Sequence, residues 1–441
     1  MLATPLITLA DSIALESLRS KHVLWLVAVI PLGAALAATM YRDRFGRSAE
    51  RSGVLLAGAM CAAFVLLDAG IIASNVRSPR EWDFKHFWTW GVAVAQGTSP
   101  YDHENLLRIA EPLSPSPELR RELYCFYPPP SLLLFAPLGW APFGWALLLW
   151  NLVQAAALAA CLALFRSLFV RDARIDSYLP LAAMVLAFWS TSATFVFSQT
   201  NFLVLLSILL FWRDRTRARA GVWLALGVLV KPLAASLGLY LLLRARWSAL
   251  AAAAGTLALV TALTTILLGP EIFSQFLQHE GISEQYLLAQ TINQSLSGEL
   301  LRATGLDATA STLLDGPIVL AATLLLTAAT AVVIWRTRSE GDAYAVGATL
   351  AMMLLIYPGT LTHYGVHLLP ALALLWSNSS DSQPGDDLRP LALTTILAAF
   401  ALASLRMTFW ATVIVWLVMA VQGLRRSQAS AVAFQPRLPV T

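Results

Sequence analysis

Long apolar blocks recur along the chain at about 23–40, 53–74, 143–166, 179–197, 248–268, 317–335, 343–357, 363–376, 391–405 and 408–423. As helices rising about 1.5 Å per residue, they cross or nearly cross a hydrocarbon core of about 30 Å. The pattern predicts an all-α, polytopic transmembrane helical protein with about 12–13 membrane segments, some short or re-entrant. Residues 1–441 are expected to form a single integral membrane domain.

Basic connectors separate the blocks: YRDRFGRSAER (41–51), RSLFVRDAR (166–174), RDRTRAR (213–219), RAR (244–246), RTR (336–338) and RR (425–426). The bias of lysine and arginine toward the cytoplasm assigns all of them to the inner face. That assignment constrains the 24 apolar residues 220–243, which have arginines at both ends and Lys231-Pro232 at their centre. A single span would carry Arg244 and Arg246 outside and invert every later loop. Two short helices that turn back at Lys-Pro keep the parity, because twelve residues rise only about 18 Å. The same logic breaks 179–212 at SQTN (198–201). The segments left facing outward are 75–130, 198–201, 231–232, 269–316 and 358–363. The two largest, 75–130 and 269–316, are outer loops, the first carrying an interfacial helix. The count puts the N-terminus outside, with an interfacial helix over 5–19 as the alternative.

Composition agrees with this reading. The chain is 58% hydrophobic and 13% charged, well below the charged share of a soluble domain. Its formal charge of +4 is spread over short loops, which excludes a nucleic-acid-binding face. Cys61, Cys125 and Cys161 lack metal-ligand spacing, so neither a zinc site nor a disulfide framework is expected. The N-terminus lacks the order of a cleaved signal peptide. No DxD, paired Cys/His or Gly-rich phosphate loop lies in an outer segment, which argues against a nucleotide-sugar site or an ATPase. No cofactor and no metal are expected.

Polar residues cluster in the outward segments. EWDFKHFWTWGVAVAQGTSPYD (81–102) sets Asp83 at the start of a helix with Phe84, Phe87 and Trp88 at helical spacing. This helix is expected to lie along the membrane surface with its aromatics in the lipid interface. Asp83 is read as a general base at that boundary, or as a helix-terminal carboxylate favoured by the macrodipole. GTSPYD ends the helix in a glycine-containing turn, and its Tyr101 and Asp102 are candidates for sugar or acceptor binding, as is Tyr364. YPPPSLLLFAPLGWAP (127–142) stiffens the return to the membrane, since three prolines cannot continue a helix. Lys231 lies within an apolar stretch, where an ammonium group requires a partner or water, and an anionic phosphate suits it. QTINQSLSGELLR (290–302) offers Asn293, Gln294 and Ser295 for sugar hydroxyls and Arg302 for phosphate; helix capping is the alternative for Asn293 and Ser295. Gln199 and Asn201 of SQTN join the sugar- and acceptor-binding candidates. YPGTLTHYGVHLLP (357–370) places His363 and Tyr364 at the outer start of a span. Asp68, near the outer end of 53–74, ranks behind Asp83 because no partner for it is visible in the sequence.

In this order, an early Asp with its aromatic helix, GTSPYD, YPPP, SQTNFLVLLSILLFW, ALGVLVKP, NQSLSG…R and THYGVHLLP resemble glycosyltransferase family 87 of the GT-C superfamily, over about residues 53–376. The resemblance implies a GT-C-like fold and a membrane glycosyltransferase of the cytoplasmic membrane, its site facing outward. It implies a polyprenyl-phosphate sugar donor, mannose being the sugar expected, a lipid or glycan acceptor, and inversion at the anomeric carbon. Asp83 matches the family's base, and Lys231 its Lys-Pro, a partner for the donor phosphate together with Arg302. His363 falls where the family often has histidine, although PGTLTH carries Thr360 and Leu361 in place of Ser and Trp, and Tyr364 replaces a common second His. Membrane lipids are the remaining partners. The competing reading, a transporter or flippase for a lipid-linked sugar, predicts related halves, and no internal repeat is present. A non-catalytic assembly protein would not require Asp83, Lys231 and the amide-rich segment to converge.

Overall fold

The structure, a computed structural model, describes residues 23–77, 83–170, 175–278, 292–304, 308–337, 341–380 and 388–433. The alternative interfacial helix at 5–19 and much of the expected second outer loop (279–291 and 305–307) lie outside the described residues. Among the described residues the secondary structure is helical, and β pairing is confined to an isolated bridge between Asn293 and Leu361. The helices are α1 (Val23–Met40), α2 (Arg42–Arg77), α3 (Phe84–Ala95), α4 (His103–Ala110), α5 (Pro117–Glu122), α6 (Pro129–Phe135), α7 (Phe143–Phe169), α8 (Ile175–Ala187), α9 (Trp189–Val196) and α10 (Asn201–Asp214). They continue as α11 (Arg219–Val230), α12 (Leu237–Leu243), α13 (Trp247–Leu268), α14 (Leu296–Thr304), α15 (Ala308–Arg336), α16 (Asp342–Ile356), α17 (Leu369–Ser380), α18 (Arg389–Ser404) and α19 (Thr408–Ala433).

Among the described residues, six helices are long and apolar enough to cross a membrane, within α1, α2, α7, α13, α15 and α19. The other apolar segments are short or bent: α8 and α9 meet at 50°, and α11, α16 and α18 are shorter than a full span. The chain is thus an all-α, multi-pass membrane protein. The basic connector 41–51 is interrupted by a kink at Gly46, whose φ of 80° suits glycine; the residues on either side, from Arg42 on, are helical, and those after it continue into the apolar part of α2.

The Lys-Pro segment doubles back. α11 stops at Val230 because Pro232 forces Lys231 into extended backbone (φ −147°, ψ 123°), and a 3-10 turn over Pro232–Ser236 leads into α12. Arg215, before α11, and Arg244, after α12, both reach the carboxylate of Asp342, at 2.8 and 3.1 Å. One continuous helix would set those two arginines roughly 40 Å apart. Tyr240 donates to the same carboxylate at 2.9 Å, and Arg244 to the Thr337 carbonyl at 2.7 Å. The Ser427 hydroxyl donates to the Arg336 carbonyl at 2.6 Å. The basic connectors after α10, α12 and α15 and the stretch beside Arg425 therefore meet at one end of the molecule, as the charge parity requires.

At the other end the chain breaks between α9 and α10. Ser198 takes a left-handed φ of 50°, and its carbonyl accepts from the Trp150 indole at 2.7 Å. Non-glycine residues adopt this region rarely, and mostly where surrounding contacts hold them. Here α7 supplies those contacts, since Asn151 also donates to the Ser198 hydroxyl at 3.3 Å.

α3 corrects the expected surface orientation. It starts after Asp83, and Gly97 beyond its end has a φ of 68°, so its limits follow the sequence signals. Its aromatics, however, turn inward. Phe84, Phe87 and Trp90 are buried in a second core with Leu132, Phe135 and Trp150, and Phe87 stacks on Phe135 at 4.7 Å. The prolines of YPPP form a rigid loop-to-helix transition. Pro129 and Pro130 begin α6, at positions whose missing N–H groups would have no helical acceptor. Gly91 and Gly139 allow α3 to touch the turn after α6: a Cβ on Gly91 would stand 2.3 Å from the Phe135 carbonyl oxygen.

α11 packs on α13 through a still closer approach, where a Cβ on Gly221 would fall 1.7 Å from the Ala249 oxygen. Small residues at such crossings let backbones make van der Waals contact that lipid cannot replace. Gly221→Val is expected to cost about 3 kcal/mol or more through overpacking, read as a lowered Tm and loss of the monodisperse peak in detergent. Gly255→Ala in α13, where nothing lies within 4 Å, is the control expected to leave both unchanged.

Candidate active site

The two chain breaks and the start of α3 converge. Lys231, 2% exposed, donates to the Gln199 side-chain oxygen and to the Asn201 side-chain oxygen, both at 2.8 Å. The Gln199 amide nitrogen donates in turn to Asp83 Oδ2. Gln199 thus stands between cation and carboxylate, and the two charges fix its amide orientation: oxygen toward ammonium, nitrogen toward carboxylate. Asp83 is the N-cap residue of α3, yet its side chain makes no capping bond. Its carboxylate is committed across the fold to Gln199 instead, which the helix-terminal reading does not account for.

The third side of the ammonium faces Tyr364, whose ring centroid lies 3.7 Å from Nζ. A cation held against an aromatic face gains electrostatic attraction from the ring quadrupole, most when both are desolvated. Asn201 completes the frame by donating to the Thr194 hydroxyl and to the His363 carbonyl, each at 3.2 Å. A narrow cavity of about 20 Å³ adjoins Lys231, lined by Phe126, Tyr127, Pro232, Tyr357, Gly359 and Tyr364. That is the volume of about one water, so the described conformation is closed around the ammonium.

His363 reaches this centre through its backbone. Its imidazole is buried against Phe197 and Tyr364, at 5.2 and 4.8 Å between centroids, and neither ring nitrogen bonds a described residue. His367, later in the same 3-10 turn, is equally buried with both ring nitrogens unbonded among the described residues. Sequence reasoning passed over His367, whose spacing of four from His363 gives no shared face on a turn of three residues. It also passed over Tyr127 and Tyr357, which lay in quoted motifs but were not singled out.

The remaining candidates sit around the centre rather than in it. Tyr101 is buried, and its hydroxyl donates to the Tyr127 carbonyl at 2.7 Å, bracing a residue of the cavity wall. Asp102 is exposed and caps α4, accepting from the Asn105 backbone at 3.2 Å. Asn293, Gln294 and Ser295 fasten the start of the 292–304 segment to the 357–364 segment. Asn293 donates to the Pro358 carbonyl at 2.5 Å and accepts from the Ser295 hydroxyl at 2.7 Å. The Gln294 backbone donates to Thr360 at 2.5 Å, and its side-chain oxygen accepts from the Phe409 backbone at 3.2 Å. Arg302 donates to the Asn293 carbonyl at 2.5 Å and pairs with Glu299 at 2.5 Å, away from the Lys231 cavity. Asp68 is buried in α2 and has no bond to Asp83, Gln199 or Lys231.

The arrangement offers a carboxylate able to accept a proton and a desolvated cation able to hold an anion, one amide apart, at the end of the molecule opposite the arginine connectors. Comparison with known proteins adds an independent finding. The family model described as Glycosyltransferase family 87 matches residues 125–362, more than half of the chain. The matched stretch contains Gln199, Asn201, Lys231 and Asn293–Ser295; it begins after Asp83 and ends one residue before His363. No curated protein and no solved structure matches. With the match running through both chain breaks and the amide-rich segment, on an all-α membrane fold, the chain belongs to glycosyltransferase family 87.

Proposed function

We propose that this membrane glycosyltransferase moves a monosaccharide, with mannose the leading candidate, from a polyprenyl-phosphate donor to a lipid or glycan acceptor at the outer face of the cytoplasmic membrane. The observation that carries the reading is the Asp83–Gln199–Lys231 chain. In the proposed step the acceptor hydroxyl oxygen bonds to the anomeric carbon from the side opposite the phosphate, and the configuration inverts. Its proton passes to Asp83. The bond between the anomeric carbon and the phosphate oxygen breaks, and the prenyl phosphate leaves with the electron pair, its charge met by Lys231. General-base assistance and electrostatic stabilisation of the leaving group are the two contributions such a transfer needs from a protein.

Gln199 serves both ends. A carboxylate paired directly with an ammonium is a weaker base, because the cation stabilises its charged form. The interposed amide keeps Lys231 for the phosphate while orienting Asp83. The outward placement is supported by the arginine connectors, which gather at the opposite end of the molecule. A lipid-borne donor fits an outer site because nucleotide sugars are confined to the cytoplasm. His363 is kept as a catalytic candidate and Tyr364 as a sugar- or acceptor-binding one; the Tyr364 ring faces the ammonium, and the His363 carbonyl accepts from Asn201.

In membranes supplied with polyprenyl-phosphate sugar, Asp83→Asn is expected to lower transfer by about 10²–10⁴-fold, the range for loss of a general base. Wild-type rates from a folded variant would remove Asp83 as base. Lys231→Ala is expected to raise the donor KM about tenfold or more, as loss of a charge-assisted contact implies; an unchanged donor KM rules out phosphate binding there. For sidedness, Glu299→Cys in a background lacking Cys61, Cys125 and Cys161 should react with an impermeant thiol reagent added outside intact cells. Labelling only after permeabilisation would reverse the proposed orientation.

A further inference from the structure

Between α5 and α6 the chain runs without regular structure over 123–128, and its burial alternates: Leu123, Cys125 and Tyr127 are buried, Tyr124 and Phe126 half-buried. Alternation of this kind marks an extended strand, yet no partner strand pairs with it among the described residues. Side chains grip the backbone instead. His86 Nε2 stands 2.9 Å from the Glu122 carbonyl oxygen, and His103 Nδ1 stands 3.1 Å from that of Leu123. The Tyr101 hydroxyl donates to the Tyr127 carbonyl at 2.7 Å. A carbonyl only accepts, so each of the two ring nitrogens carries a proton and donates it.

The rings lean on the same segment. His103 stacks on Tyr124 at 4.2 Å between centroids, and the His86 ring lies 6.3 Å from that of Phe126. Phe126 and Tyr127 both line the Lys231 cavity. His86 belongs to α3, which starts after Asp83, and His103 opens α4, the helix that Asp102 caps. α3 thus carries the proposed base at its start and, within its first turn, a hold on the cavity wall. We propose, resting on the donor reading above, that His86 and His103 are positioning residues of the donor site. Their N–H groups fix the 123–128 segment as the wall against which the sugar phosphate binds. None of these bonds involves Asp83, Gln199 or Lys231, so loosening the wall weakens donor binding and spares the chemical step.

The test replaces each histidine by two amides of similar size. A glutamine amide nitrogen reaches the place of Nε2 and an asparagine amide nitrogen that of Nδ1. His86→Gln and His103→Asn therefore keep the bond, whereas His86→Asn and His103→Gln lose it. With polyprenyl-phosphate mannose supplied to membranes holding the full chain, the bond-losing variants are expected to raise the donor KM about three- to tenfold, as one lost hydrogen bond implies. Their kcat should stay within about twofold of wild type, the signature of lost uniform binding. The bond-keeping variants should match wild type in both constants. Hydrogen–deuterium exchange over 123–127 should be faster in the bond-losing member of each pair, a readout independent of turnover. In an active enzyme, equal KM and equal exchange within each pair overturn the proposal. A fall in kcat at unchanged KM overturns it too, because it assigns the histidines to the reacting groups. A wild type that consumes no polyprenyl-phosphate sugar overturns the donor reading, and the wall's role with it, whatever the exchange shows.

Discussion

A buried ammonium group sets the terms for one end of this protein. In an apolar setting a lysine charge is tolerable only when its donors are occupied by oxygens and aromatic faces. Lys231 meets that requirement with two side-chain amides and one ring, drawn from the SQTN turn and from Tyr364. Each partner is placed by a departure from regular helix: the extended residue before Pro232, the left-handed Ser198, and the 3-10 turn over Thr362–Leu368. Straight helices across the membrane would bring none of these groups together. The broken helices are therefore the means by which an apolar protein builds a polar site.

The opposite end is organised by the complementary need. Asp342 collects Arg215, Arg244 and the Tyr240 hydroxyl, and Asp214 collects Arg213 and Arg219 at 3.1 and 2.7 Å. Such partly exposed pairs add little stability singly. They do fix which connectors lie side by side, and so hold the re-entrant hairpin with its Lys-Pro tip toward Gln199.

Much of this architecture was legible in the chain because it follows from one-dimensional physics. Apolar length marked the spans, and the arginine parity demanded the reversal at Lys231-Pro232 before any contact was known. Asp83, Gln199, Asn201 and Lys231 were each recognisable as polar residues in costly places. Other features were left open where local signals carry no direction. Helical spacing gave α3 an aromatic face, but a greasy face serves lipid or protein equally, and only Phe135 and Trp150 decided for protein. Asn293 and Ser295 had the chemistry of sugar ligands, yet the nearby Pro358 carbonyl engages them as a latch. Arg302 suited a phosphate, and its position put it beside Glu299 rather than Lys231.

The sequence by itself determined the all-α membrane class, the breaks and the family, since these depend on hydropathy, proline chemistry, charge parity and ordered motifs along the chain. The tertiary structure alone decided that Gln199 bridges Asp83 to Lys231, that His363 presents its backbone to Asn201, and that His86 and His103 bond the adjoining carbonyls of Glu122 and Leu123. Those are relations between residues more than a hundred positions apart, in the case of Asp83 and Gln199. No local propensity encodes them; they exist only once packing has brought the broken helices to one end of the molecule.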